Sequence, residues 1–292
     1  MKSYCFIVNP IAGGGKANSQ VYRIEENFRA AGAEFKIYRT TGPRDATLAA
    51  ARAAEEGFDI VVAAGGDGTV NEVLNGLVGS GAALAAIHGG KGNDFATAVA
   101  MPKNIDEACK SLLRSEIRAI DLGRVMERYF INSVGVGFDA AVALRVNRGI
   151  RLFKGVSAYI YAFFETLLSY QYVQMEIDLG SGPVKSDPVL VAVGIGQAYG
   201  GGMRIVPDAI QDDGLFDVCV FDRMNRLGLI YHFPKVFSGK LKNLEQANMY
   251  RTKELKLKLS EVRPLHMEGE IYFGDEMHFT LEPKGMKVLF GT

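Results

Sequence analysis

The sequence predicts an α/β N-terminal domain, built as a parallel sheet with helices on both faces, followed by a mainly antiparallel β-sandwich C-terminal domain. Three observations carry this. Short apolar strands alternate with helical patterns up to about residue 123, a glycine-rich segment follows the first, third and fourth strands and RTTGP follows the second, and strand-like runs dominate from about residue 124. The expected domains are 1–123 and 124–292, with the last strand a candidate to return to the first domain.

In chain order, the first strand is Tyr4 to Val8, followed by NPIAGGGK and a helix near 18–31. A second strand, Glu34 to Arg39, leads through RTTGP into a helix near 44–56. The third, Ile60 to Ala64, stops at Gly65-Gly66-Asp67-Gly68-Thr69, where glycines leave the backbone amides open to a ligand. Thr69 with Glu72 matches the S/T-x-x-E capping box, so a helix is expected over 69–78. The fourth strand, Leu84 to His88, enters HGGKGND, where Asn93 or Asp94 is a candidate helix cap. A helix near 104–114 closes the domain.

In parallel α/β sheets the ligand sits beyond the carboxyl ends of the strands, and all four of these loops lie there. Amides at a helix start and the positive end of its dipole favour an anion such as a nucleotide phosphate. Asp67 is out of place beside an anion unless it works through Mg²⁺ or a ribose hydroxyl. Ordinary α/β packing reads the same way at any one of these junctions. The loop from Asn9 to Lys16 is neither a P-loop nor a G-x-G-x-x-G fingerprint.

The second half reads as strands at Tyr129 to Val136, Val173 to Leu179, Val189 to Gly194, Leu215 to Phe221 and Leu255 to Leu259. Three further runs follow at Ile271 to Phe273, His278 to Leu281 and Lys287 to Phe290. Helices are expected over 152–168 and 226–238. Two acidic segments stand out. Pro207 to Leu215 holds Asp208, Asp212 and Asp213, and Glu268-Gly269-Glu270 follows a strand; a solvated Asp-Gly turn and a hairpin turn are the plainer readings. The histidines at 88, 232, 266 and 278 show no metal spacing and read as structural.

Composition narrows the function. Lys plus Arg total 33 and Asp plus Glu total 33, a balance that argues against bulk nucleic-acid binding. The 48% hydrophobic content allows a sizeable core in each domain. Cys5, Cys109 and Cys219 form no C-x-x-C pair, which fits a reducing cytoplasm. No segment reaches the ~20 apolar residues needed to span a bilayer, so the chain reads as soluble or peripheral.

Two regions bear on a membrane. Arg145, Arg148, Arg151 and Lys154 precede the aromatic-rich apolar stretch Val156 to Phe164, which suits docking on anionic headgroups, possible peripheral contact at the inner face of a membrane. A core helix with a solvated basic end is the duller account. Residues 235–258 carry seven Lys or Arg against two Glu, a local net of +5, either a membrane-facing stripe or a solvated face.

Taken in order, Asn9 to Gly13, Gly65 to Glu72, Gly90 to Phe95, Pro207 to Leu215 and Glu268 to Glu270 resemble the motif series of the diacylglycerol kinase catalytic-domain family, which includes bacterial soluble lipid kinases and sphingosine and ceramide kinases. The resemblance covers nearly the whole chain and implies a diacylglycerol-kinase-like fold, distantly shared with NAD kinases. It implies an ATP- and Mg²⁺-dependent kinase acting on a hydroxyl of diacylglycerol or a related lipid. The nucleotide contacts would fall to Asn9, Pro10, Gly13, Thr41, Gly65, Gly66, Asp67, Gly68, Thr69, Asn71, Glu72, Gly90, Lys91, Asn93 and Asp94. Asp67, Asp94, Asp212, Asp213 and Leu215 would organise magnesium and its water. Catalysis would rest on Glu268, Asp67 and Glu270. NAD kinase is the nearest alternative, and a nucleotide-binding regulator whose catalysis has lapsed is another.

Three positions depart from the family pattern. Glu268 stands where the family has aspartate, keeping the carboxylate but extending it by a methylene. Displacement on that scale costs about 100-fold in rate where the backbone does not compensate. Ala12 replaces a serine of the first loop, and Lys91 replaces the threonine of G-T-x-N-D-F, where its charge can supply a phosphate contact.

Overall fold

The computed structural model describes residues 2–150 and 156–292. Arg151 and Lys154 of the basic cluster lie outside the described residues. The chain divides into two compact units, one running to Ile120 and including Lys284–Thr292, the other covering Asp121–Pro283.

In the first unit, β1 (Ser3–Val8) is followed by α1 (Lys16–Ser19), α2 (Val21–Ala30), β2 (Glu34–Arg39), α3 (Asp45–Glu55) and β3 (Ile60–Gly65). Then come α4 (Asp67–Leu77), β4 (Ala83–His88), α5 (Asp94–Ala98) and α6 (Ile105–Arg114). The strands are parallel in the order β4-β3-β1-β2. β1, β3 and β4 are buried along their whole length, while the edge strand β2 alternates exposed and half-buried residues. Continuous apolar runs in the centre and a mixed edge are what helices on both faces require. Phe28 of α2 packs edge-on to Tyr4 and Phe6.

The helix after β3 starts earlier than the capping-box reading placed it. Gly66 is the N-cap and Asp67 the first helical residue. Thr69 instead accepts from Asn9 Nδ2 at 3.2 Å, and Glu72 accepts from the amides of Arg44 and Ala46 at 3.1 and 3.2 Å, serving the start of α3.

The second unit comprises β5 (Ile117–Val125), which enters it from the first, β6 (Arg128–Phe130), β7 (Ser133–Gly137), α7 (Phe138–Asn147) and α8 (Val156–Ser169). It continues with β8 (Met175–Asp178), β9 (Pro183–Ser186), β10 (Leu190–Gly194), β11 (Phe216–Phe221), α9 (Arg226–His232) and α10 (Lys235–Ser238). β12 (Ala247–Thr252), β13 (Glu254–Met267) and β14 (Glu270–Leu289) as far as Pro283 complete it. Pairing is antiparallel in the order β12-β11-β10-β7-β13-β14, with β8 on the far part of β13. Side-chain alternation sorts the core into two faces. Val191 and Val193 join the all-strand cluster with Val134, Phe216 and Leu265, while Leu190 and Ala192 join Phe138, Phe163 and Leu229 under the helices.

Several boundaries differ from the sequence reading. Tyr129 to Val136 is two strands broken at Ile131 and Asn132. The three runs after Ile271 are one 20-residue strand, β14, whose end pairs in parallel with β4 through Val288 and Leu84. The helix expected over 226–238 divides into α9 and α10 at Phe233-Pro234, since proline lacks the amide that would continue the ladder. The helix α7 was not expected.

All three cysteines are free and buried. Burial pushes the thiol of Cys5 up to about 11 and those of Cys109 and Cys219 up to about 12. The reactive thiolate is therefore scarce at neutral pH. A disulfide-exchange reagent at mildly alkaline pH is expected to label none of the three in the native protein and all three after unfolding.

Among the described residues, no helix is long and apolar enough to cross a membrane.

Candidate functional site

In the first unit, the strand-end loops after β1, β3 and β4 are tied to one another by short contacts. The amide of Asn9 donates to Ala64 O at 3.0 Å, and the amide of Gly89 donates to Gly65 O at 3.1 Å. Glycine is required where the loops meet. A Cβ on Gly90 would stand 2.3 Å from Gly66 Cα, and one on Gly13, at φ +60°, would stand 2.5 Å from Gly89 O. Beyond these contacts the space opens, and a Cβ on Gly14 or Gly15 would meet nothing within 4 Å. Backbone left open by glycine, next to the first turn of α4, is the kind of local geometry that can accept an anion. Pro10 sits in the turn of the first loop, Gly68 lies in the first turn of α4, and Lys91 is exposed.

Asp67 cross-links two of these loops. Its Oδ2 accepts from the amide of Asn93 at 2.9 Å and its Oδ1 from that of Phe95 at 3.2 Å. Burial pushes its carboxyl up, and the amides of the Asp94 loop pull against that shift. A Cβ on Gly92 would lie 2.6 Å from Asp67 Oδ2 and 3.8 Å from Asp94 Oδ2, so both carboxylates border Gly92. Asn93, at φ +58°, folds its amide side chain back onto Gly90, accepting at 2.7 Å and donating at 3.0 Å. Thr41 is exposed and spends both its amide and its hydroxyl on Asp45 Oδ2, at 2.7 and 2.9 Å. Asn71 is buried and holds Asn75 through its carbonyl at 2.9 Å.

The second unit holds the other predicted carboxylates. Glu268 and Gly269, at φ +54° and +84°, form the two-residue turn between β13 and β14, the geometry of a type I′ hairpin. The turn reading was correct in shape, but Glu268 is not a solvated turn residue. It is buried, and its Oε1 accepts from the amides of Ile131 and Asn132 at 2.9 and 2.7 Å, in the break between β6 and β7. Asn147 at the end of α7 donates to Gly269 O at 3.1 Å and fixes the turn from outside. A non-glycine residue held at positive φ with a buried carboxylate is a costly arrangement of the kind that collects at functional sites. Glu270 is exposed.

The acidic loop before β11 disperses its carboxylates. Asp212 is exposed, Asp213 Oδ1 accepts from the Leu215 amide at 3.1 Å and its Oδ2 pairs with Arg251, and Lys242 pairs with Asp208. Buried Asp121, which the sequence reading missed, accepts from the Gly214 amide at 2.6 Å and anchors this loop. Within the described residues no three His, Cys, Asp or Glu side chains gather in a metal-holding group.

A second missed group lies beside the turn. Asp139 Oδ2 accepts from the Tyr199 hydroxyl at 3.0 Å and faces His266 Nε2 at 3.1 Å. All three side chains are buried, and burial followed by the Asp139 charge pushes the Tyr199 phenol well up.

Residues 3–125 match the family described as the diacylglycerol kinase catalytic domain, and residues 132–290 match the YegS C-terminal NAD kinase beta sandwich-like domain. A diacylglycerol kinase of Bacillus subtilis is 31% identical over 273 residues, which cover 92% of this chain and 90% of that protein. The chain belongs to the diacylglycerol kinase family. Another diacylglycerol kinase, from Staphylococcus saprophyticus, is 28% identical over 266 residues, 90% of this chain and 87% of the relative. A crystal structure of a diacylglycerol kinase from Bacillus anthracis superposes with a TM-score of 0.78 at 22% identity, covering 99% of this chain and 97% of that one, a likeness of fold. Membership makes the chain a kinase of the lipid-kinase type, and the α/β unit followed by a β-sandwich is the family's architecture.

Proposed function

We propose that this diacylglycerol kinase family member transfers the γ-phosphoryl group of MgATP to a hydroxyl of diacylglycerol or a related lipid. The observation that carries the reading is the stitched set of glycine loops at the strand ends of the first unit, where Gly13 and Gly90 admit no side chain and Gly14 and Gly15 leave open space. MgATP, when bound, supplies the phosphoryl group and the metal charge that neutralises it. The amides of the 66–68 turn at the start of α4 would hold its phosphates, the open space over Gly14 and Gly15 would give the nucleotide room, and Lys16 and Lys91 would act as point charges. Asp67 and Asp94, bordering Gly92, would be the carboxylates nearest the cation, an oxygen pair of the type Mg²⁺ accepts along with waters and phosphate oxygens. The family pattern also names Asp212 and Asp213 of the second unit as magnesium-organising carboxylates, and of these Asp213 is engaged with Arg251. Glu268 would take the hydroxyl proton of the acceptor lipid, and the two amides on its Oε1 would hold the carboxylate in place for that transfer.

The test is a labelled-ATP assay against a panel of lipid alcohols, with NAD alongside. Label is expected in a lipid and depends on Mg²⁺. Label in NADP alone would make the chain an NAD kinase. MgATP binding without transfer to either acceptor would leave a nucleotide-binding regulator.

A further inference from the structure

The second unit contains a cavity of about 390 Å³ whose walls include Arg145, Arg148, Glu165, Thr166, Tyr170 and Arg263. Its size falls within the ~300–1,000 Å³ range of small-molecule sites. Three guanidiniums converge on it, Arg145 from α7, Arg148 from the cap of that helix and Arg263 from β13. Arg145 is partly used, with Nε 2.8 Å from Glu165 Oε2 and Nη1 donating to Gly149 O at 3.2 Å. Arg263 pairs through Nη2 with Glu261, yet its Nε is buried without a hydrogen-bond partner among the described residues. Arg148 makes no side-chain hydrogen bond or ion pair with any described residue. The Tyr170 phenol, pushed up chiefly by burial, stays protonated and remains a donor. Three cations face two carboxylates, and unspent N–H groups remain in a half-enclosed space.

We infer that this cavity binds the phosphate group of an anionic ligand. Guanidinium suits it because the planar fork matches phosphate oxygens and gives up little hydration. The helix beside it indicates the carrier. α8 supplies Glu165 and Thr166 to the cavity wall, and the same helix exposes Ile160, Tyr161, Phe164 and Leu168, the last 73% accessible. Arg145 lies 5.9 Å from the Tyr161 ring centroid, joining the cationic wall to that apolar face. The face continues onto α9, where Leu227 and Tyr231 are 79% and 76% accessible and Arg226 Nη2 reaches Leu168 O at 3.0 Å. Aromatic and aliphatic side chains exposed next to a phosphate-binding cavity match the boundary between headgroups and acyl chains. A phospholipid headgroup satisfies both halves; a free phosphate satisfies only the cavity.

The test uses the full chain and reads binding, so it stands apart from the kinase assay. Vesicles of phosphatidylcholine containing phosphatidic acid are expected to sediment the parent, and pure phosphatidylcholine is not. Arg148→Gln, a change at an exposed unpaired side chain, is expected to weaken binding about fivefold, the value of one surface cation near an anionic membrane. Leu168→Gln should weaken it as well, with circular dichroism confirming that both variants fold. In a second arm, inorganic phosphate is titrated while the melting temperature is followed. A phosphate-dependent rise in the parent that Arg148→Gln lacks, with no vesicle binding by either, keeps the phosphate site and overturns the lipid carrier. Equal vesicle binding by parent and Arg148→Gln, together with no phosphate response, overturns the proposal.

Discussion

Replacing Glu268 with glutamine is expected to lower the turnover of lipid phosphorylation by about 10²-fold or more, the lower part of the range for losing a general base. The lower part applies because phosphoryl transfer leans more on positioning and charge than on early proton removal. Glutamine is the informative change because its carbonyl oxygen can still accept from the amides of Ile131 and Asn132, now 2.9 and 2.7 Å from Glu268 Oε1. The turn and the break between β6 and β7 then stay joined, and the melting temperature should hold. Alanine would orphan both buried amides, each costing about 1–3 kcal/mol, so its rate loss would mix chemistry with unfolding. Aspartate restores the family residue but shortens the reach, and its rate is expected between parent and glutamine. Measuring kcat and melting temperature on the same preparations separates the cases. A glutamine variant as fast as the parent would show that the carboxylate serves only to hold two strands together.

The first unit was legible because its strands are continuous apolar runs ended by glycine turns, and each of the four was located to within about one residue of its observed bounds. The loops then fell at the carboxyl ends by topology alone. Side-chain bonding was not legible even there. Thr69 and Glu72 satisfy the capping-box spacing, yet glycine at position 66 already caps α4, which frees Thr69 for Asn9 and Glu72 for the amides of Arg44 and Ala46. Long-range contacts, not spacing, decided those partners.

The second unit was harder for a reason visible in β14. Gly274, Asp275 and Glu276, then Pro283 and Lys284, interrupt its apolar pattern, so one strand read as three. The helix α7 hid because it follows directly on the strand residues of β7 with Phe138, itself a good strand former, and its other buried residues, Ala140, Val142 and Ala143, are short or β-branched. The Asp139, His266 and Tyr199 group has no local signature, and the basic cluster shows only Arg145 and Arg148 of the arginine cavity, not Arg263. Asp139 and His266 are 127 residues apart, and Arg263 joins Arg145 and Arg148 only through the pairing of distant elements. Glu268 itself is singled out by motif order, while the two amides that hold it belong to a strand break that the sequence pattern conceals.

Changing Asp67 to asparagine is expected to reduce activity by about 10²–10³-fold, the scale for removing a group that stabilises transition-state charge, and to abolish stabilisation by Mg²⁺ and ATP together. The carboxylate has two candidate jobs, and they respond differently. As a cross-link it accepts from the amides of Asn93 and Phe95; asparagine keeps one acceptor and the shape, and forfeits one hydrogen bond worth about 1 kcal/mol. As a cation ligand it needs its charge, which asparagine lacks. The raised carboxyl of Asp67 bears on this balance, since burial makes its ionised form a cost to the folded state. A group with its folded pKa raised favours folding below the ordinary carboxylate pKa, and that contribution is lost as pH rises through the folded value. At neutral pH the parent therefore carries an unfavourable buried charge that a bound cation would offset. Ligand at about a hundredfold excess over its Kd adds about 2.7 kcal/mol to the folded state, enough to raise the melting temperature measurably in the parent. The asparagine variant should show no such rise, while its ligand-free melting temperature stays near that of the parent. If it is instead stabilised by MgATP as strongly as the parent and turns over at a comparable rate, the cross-link is the whole role of Asp67 and the metal must be held by other groups.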